Sequence, residues 1–223
     1  MGQEFKSLSS TGGVFEEKCI DIKFMVYPKI KFKADLKTDT ENCISFLKHK
    51  RPRQNKQFVV WFLPLDLRYI LDKKILIKKR DGIIKEYVRR AYKNKKTEIE
   101  SGLKEMIENW RKVEKAYFRL VGRVFKNHPW PKGNYRGFAS IFHMFPRYID
   151  KRIFFFPYTH KIPKYANKVI AHEMLHFMFF DYIEGKYGLK ENSRIKDRPA
   201  NYIWQVSEVF NNVMENWELY NLI

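Results

Sequence analysis

Six histidines occur in the 223 residues, and two of them stand in the run His172-Glu173-Met174-Leu175-His176. On an α-helix, residues four apart lie on one face about 6 Å apart along the axis, so both imidazoles can reach one tetrahedral ion. Glu173 is rotated about 100° from His172, which takes it out of ligating position but leaves it able to reach a water at the ion's open site. The spacing predicts Zn2+ as cofactor, His172 and His176 as metal ligands, and Glu173 as the general base of a hydrolytic reaction. The plain alternative is a helix that carries two histidines by chance. Burying two unpaired imidazoles beside a carboxylate is costly unless something pairs them.

A hydrolytic zinc site needs a third protein ligand. Metzincins would have Gly at position 179 and His or Asp at 182, where this chain has Phe179 and Tyr182. No histidine follows His176, so the ligand is a downstream carboxylate or comes from upstream. Glu208 is the leading candidate, 32 residues on (208 − 176), among the apolar neighbours Val206, Val209 and Phe210. Glu215, Glu218, Asp181 and Glu184 compete with it.

An HExxH helix followed by a second helix with a glutamate ligand resembles the gluzincins, and the likeness runs over about residues 136–217. Many gluzincins have an aspartate four residues after that glutamate, orienting the first histidine; here Asn212 stands there, as in ImmA/IrrE-type peptidases. Minigluzincins are a second comparison. The resemblance implies a zinc-dependent endopeptidase on an α+β, zincin-like fold. That fold has a mixed sheet, a long backing helix, the HExxH helix and a C-terminal glutamate helix. It further implies that Asn212 orients a ligand histidine and that a substrate peptide adds to a sheet edge, at Gly137–Phe145 or Arg152–Phe156. Tyr202, His143, His160 and Tyr158 are chemically able to supply a second oxyanion donor.

The remaining elements must position these residues. Ile20, Ile22, Phe24 and Val26 alternate with polar residues, as do Ile30, Phe32 and Ala34 with lysines, predicting two strands. The apolar run Phe58–Leu63 reads as a buried strand, and Ile75–Ile77 as a further strand. A helix is expected over 83–93 and a long amphipathic one over 98–126, ended by His128-Pro129-Trp130-Pro131. Strands at 136–145 and 151–156, the HExxH helix at 163–182, a polar connection at 184–198 and a last helix at 199–217 complete the chain. The expected organisation is a β-rich extension with a short helix at 1–95 and a metallopeptidase domain at 96–223.

Lys and Arg total 44 against 25 Asp and Glu, a formal net charge of +19. The basic residues run along the whole chain without a nucleic-acid motif, which fits a solvated surface and leaves weak, non-specific nucleic-acid binding as a partner besides the peptide or protein substrate. Two further readings are a catalytically silent zincin-fold binding or regulatory protein, and a basic nucleic-acid-binding protein whose HExxH is incidental. Cys19 and Cys43 show no metal or disulfide spacing, and no apolar run approaches the roughly 20 residues of a membrane span. These features predict a cytoplasmic protein without a membrane partner. The tail Leu219–Ile223 follows the glutamate helix closely and is a candidate for occupying the cleft.

Overall fold

The computed structural model describes residues 26–48, 60–72, 74–162 and 164–217. Its elements are β1 (Ile30–Ala34), α1 (Leu36–Lys48), a 3-10 stretch (Leu65–Leu71), α2 (Ile77–Asn94), α3 (Lys96–Val124), β2 (Tyr135–Ser140), β3 (Arg147–Tyr148), β4 (Ile153–Pro157), α4 (Tyr165–Tyr187) and α5 (Tyr202–Glu215). The fold is α+β, with one mixed sheet in the order β1-β2-β4-β3. β1, β2 and β4 run parallel, and β3 is antiparallel to β4.

β1 forms where Ile30, Phe32 and Ala34 alternate with exposed Lys31 and Lys33. A parallel neighbour requires a long crossover. It is made by α1, α2 and α3, so a strand of the first 95 residues enters the same sheet as β2 and β4. The register sets Phe32 of β1, Gly137 of β2 and Phe154 of β4 side by side. A Cβ at Gly137 would come within 2.8 Å of the Phe32 ring and 2.9 Å of the Phe154 ring. Glycine is what lets those two rings meet edge to face at 6.3 Å over the strand between them.

Two apolar cores flank this arrangement. The larger packs α3, α4 and α5 against the sheet, with Trp110, Tyr117, Phe118, Phe154, Phe156 and Phe177 among its buried side chains. The smaller joins α1, the 3-10 stretch and α2 to Phe142 and Met144, just beyond β2. Along β4 the alternation divides the rings: Phe154 and Phe156 enter the large core, while Phe155 stacks on Phe138.

Several expected elements change. The strand at Phe58–Leu63 is replaced by helix at 60–62, and Phe58 itself lies outside the described residues. Ile75 lies in a bend and Ile77 begins α2, so no strand forms there. α1 had no expected counterpart. Asp35 starts it, its carboxylate accepting the Thr38 amide at 2.7 Å and being held below its ordinary pKa by that contact. α4 continues through Glu184 and Gly185 to Tyr187, where Gly188 in the left-handed region ends it. The expected strand at 20–26 falls outside the described residues except for exposed Val26. No described helix is long and apolar enough to cross a membrane.

Asp39 joins the two halves of the structure. From the first turns of α1 it accepts hydrogen bonds from Ser140 Oγ (2.6 Å), the Ile141 amide (3.0 Å) and the Tyr92 hydroxyl (3.3 Å). Burial nonetheless pushes its pKa from 3.8 up to about 6 against these donors. A carboxyl that holds its proton more tightly when folded contributes stability that is full below about pH 4 and lost as pH rises through 6. Denaturant unfolding at pH 4 and pH 7 should therefore show Asp39 favouring the folded state at the lower pH by on the order of 2–3 kcal/mol. That pH-dependent increment should vanish in Asp39→Asn; an equal increment in both proteins would refute the assignment.

Candidate metal centre

α4 carries the run of interest between β4 and α5. Ala171, Met174, Leu175, Phe177 and Met178 are fully buried around it, and so is His176. Tyr117 of α3 donates its hydroxyl to the Ala171 carbonyl at 2.8 Å, and Asn211 of α5 donates its side-chain amide to the His172 carbonyl at 3.0 Å. The helix is thus held from both sides beside the first histidine.

The His172 and His176 rings lie 4.7 Å apart and near perpendicular, with their Nε2 atoms facing each other at 3.1 Å. Glu208 of α5 closes the group. Its Oε2 is 3.4 Å from His172 Nε2 and its Oε1 is 3.5 Å from His176 Nε2. One donor atom from each of the three residues can be chosen so that all lie within 4.8 Å of one another. Ligand atoms about 2.0 Å from a tetrahedral centre are about 3.3 Å apart, so these separations suit a small cation. Two imidazole nitrogens and a carboxylate oxygen also make a donor set suited to zinc. The group therefore fits the ion expected from the sequence.

Glu173 is buried beside these donors, with Oε1 3.9 Å from His172 Nε2. Its Oε2 has no hydrogen-bond partner, and burial pushes its pKa up to about 7. Burial alone would lower His172, but the carboxylates of Glu208 and Glu215 outweigh it and hold the imidazole up to about 10. His176 moves the other way: burial, with the charges of Arg147 and His172, keeps it neutral well below its ordinary range. Burial of Glu208 is likewise outweighed, by His172 and Arg147, and its pKa is lowered.

The structure supplies two contacts that were not expected. Glu215 Oε1 meets His172 Nδ1 at 2.6 Å and occupies the orienting position assigned to Asn212. Asn212 is exposed and accepts a hydrogen bond from Asn216. Helical geometry explains the exchange: relative to Glu208, Glu215 lies about 20° round toward the buried Asn211, whereas Asn212 lies about 40° round the other way, toward solvent. The second addition is Arg147 on β3, a side chain only 9% exposed. Its guanidinium lies 3.8 Å from Glu173, 3.4 Å from Glu208 and 3.5 Å from Glu191, and 5.6 Å from the centre of the Phe180 ring.

The other candidates lie elsewhere. Asp181 pairs with His128, and Glu184 with Lys190; Glu218 is outside the described residues. Tyr158 donates to Glu98, His143 and His160 adjoin each other with His160 stacked on Tyr165, and Tyr202 lies under Arg198. Among the described residues, none of these four belongs to the His172–His176–Glu208 group. The substrate edges also change. β2 and β4 are interior strands, so Gly137–Phe145 and Arg152–Phe156 offer no free edge along their paired residues, and the edge beside the cluster is β3.

Arg147, on β3, is a cation set among three acids: Glu173 of α4, Glu191 of the α4–α5 connection and Glu208 of α5. Arg147→Met should lower stability by about 3 kcal/mol, because it leaves Glu173 and Glu208 facing each other at low exposure. Chemical denaturation of the two proteins measures this, and an unchanged midpoint would show that the guanidinium does not hold the cluster together. No family model matches the chain, and neither a curated protein nor a solved structure matches it.

Proposed function

We propose that the chain is a zinc-dependent peptidase with a zincin-like fold, hydrolysing peptide bonds with Glu173 as general base. The observation that carries this reading is the convergence of His172, His176 and Glu208 donors within 4.8 Å, beside the buried carboxyl of Glu173. His172, His176 and Glu208 would hold the ion. When bound there, zinc supplies Lewis acidity toward a scissile carbonyl and lowers the pKa of water at its open position.

The chain's own residues do the rest. Glu173 accepts the proton of the attacking water at a carboxylate oxygen and returns it to the leaving amine. Burial raises the proton affinity of this carboxyl above that of a free glutamate, which favours its acting as a base. Glu215 receives the proton on His172 Nδ1 in a hydrogen bond, which fixes the ring with Nε2 turned toward His176 and Glu208. Arg147 anchors Glu173 and Glu208 and is the cationic donor nearest to charge developing at the cluster. An extended substrate would pair with the edge of β3, which is free among the described residues, taking main-chain hydrogen bonds from it.

Two sets of variants test this function and its geometry. Glu173→Gln should keep stoichiometric zinc by elemental analysis and lose digestion of a peptide library by at least a hundredfold. Glu208→Ala should lose most of its zinc; full retention would end the three-ligand assignment. Glu215→Gln should weaken zinc binding about 10- to 100-fold in a chelator competition, whereas Asn212→Ala should leave it unchanged. The reverse ranking would return the orienting role to Asn212.

A further inference from the structure

A depression of about 530 Å³ opens where the N-terminal ends of β1, β2 and β4 meet the β3–β4 turn. Five cations line it, Lys31, Lys132, Arg136, Lys151 and Arg152, with Asp150 as its one acid. None of its lining residues belongs to the His172–His176–Glu208 group.

The fold itself brings these charges together. Register pairs Lys31 of β1 directly with Arg136 of β2, on one face of the sheet. Like charges opposed across a strand pair repel. Among the described residues, neither is in an ion pair that would relieve this repulsion, and the same holds for Lys132. Arg152 follows in the next strand entry, its carbonyl accepting the Arg136 amide at 2.9 Å.

The backbone here is also unusual. Arg152 has φ +51°, a left-handed conformation that a side-chain-bearing residue rarely adopts, and Gly133 has φ +150°. The Arg152 stem passes so close to Gly133 that an added Cβ would lie 3.0 Å from its Cγ. Arg152 Nη1 donates to the Ile149 carbonyl at 2.6 Å, while its Nε is buried without a partner. Strain held in place by close packing, beside uncompensated charge, is a mark of a binding site.

We propose that this depression binds phosphate groups, either those of a nucleic-acid backbone or those of a small phosphorylated ligand. A tetrahedral oxyanion between Lys31 and Arg136 removes the repulsion that the register imposes. The guanidinium fork of Arg136 matches phosphate oxygens, Lys132 and Lys151 add point charges, and Arg152, its Nη1 held by the Ile149 carbonyl, contributes its charge from the wall of the depression. The site stands apart from the metal cluster and does not depend on its function.

The test uses the full chain, with anisotropy of a labelled 20-nucleotide single strand over a range of salt concentrations. Two triple variants are compared, each losing three positive charges. Lys31→Gln/Arg136→Gln/Lys151→Gln removes the site, and Lys104→Gln/Lys112→Gln/Arg119→Gln removes exposed charge from α3. The first should weaken binding at least tenfold and reduce the slope of log K against log salt by about 2, at about 0.7 per phosphate contact. The second should weaken it less than threefold.

Inorganic phosphate separates the two sources. Displacement of the oligonucleotide at millimolar phosphate, with a rise in melting temperature absent from the site variant, identifies a small phosphorylated ligand. Oligonucleotide binding that resists phosphate identifies the nucleic-acid backbone. Equal weakening by the two triple variants, or no binding of either probe, overturns the proposal. The single variants Arg136→Gln and Lys151→Gln carry the same test, each lowering the salt slope by about 0.7, if the triple variant fails to match the parent's melting temperature.

Discussion

A helix packed mainly by apolar groups cannot bury ionisable side chains without importing their partners, and α4 does so at His172, Glu173 and His176. The surrounding architecture answers that demand. α5 brings Glu208, Asn211 and Glu215 to the same face of α4, as positions three and seven apart must be on a helix. β3 adds the guanidinium of Arg147. Docking of α5 is therefore as much an electrostatic event as an apolar one, since its outward positions Val206, Val209 and Val213 stay exposed.

The distribution of charge within the cluster follows from unequal burial. His176 is fully enclosed, and its burial, with the charges of Arg147 and His172, keeps it neutral, with Nε2 directed toward His172. His172 is partly open and lies between two carboxylates, so its imidazole attracts a proton. Two chemically identical side chains one turn apart thus acquire opposite tendencies from their surroundings. A group with this asymmetry already has its negative charge placed on the α5 side, where a cation needs it.

Much of this was legible in the residues, and the limits are instructive. α3 was readable because apolar residues recur at helical spacing over many turns, α4 because its mainly apolar run is longer than a strand, and the pairing of His172 with His176 followed from helix geometry alone. The run at 58–63 was misread because a short continuous apolar stretch carries no period to separate strand from helix. α1 was hidden by its own buried polar residues Asp39, Thr40 and Asn42: Thr40 bonds back to the Leu36 carbonyl, but Asp39 and Asn42 find Ser140 and Met144 about a hundred residues away. The two residues of β3 contain no pattern, so Arg147 could be found only once the sheet had been assembled. Glu215 had a signal, its two-turn spacing from Glu208, which the comparison with Asn212 obscured.

The brevity of β3 has a further consequence. An edge strand exposes unpaired main-chain groups on which other chains can grow a sheet, and long flat edges promote aggregation. Here that edge is two residues long, preceded by Pro146, which has no amide to donate, and it turns one of its two side chains inward as a buried cation. So short a template can accept a brief extended segment but offers little purchase to another copy's strand, which protects the molecule from self-templated fibre growth on that side.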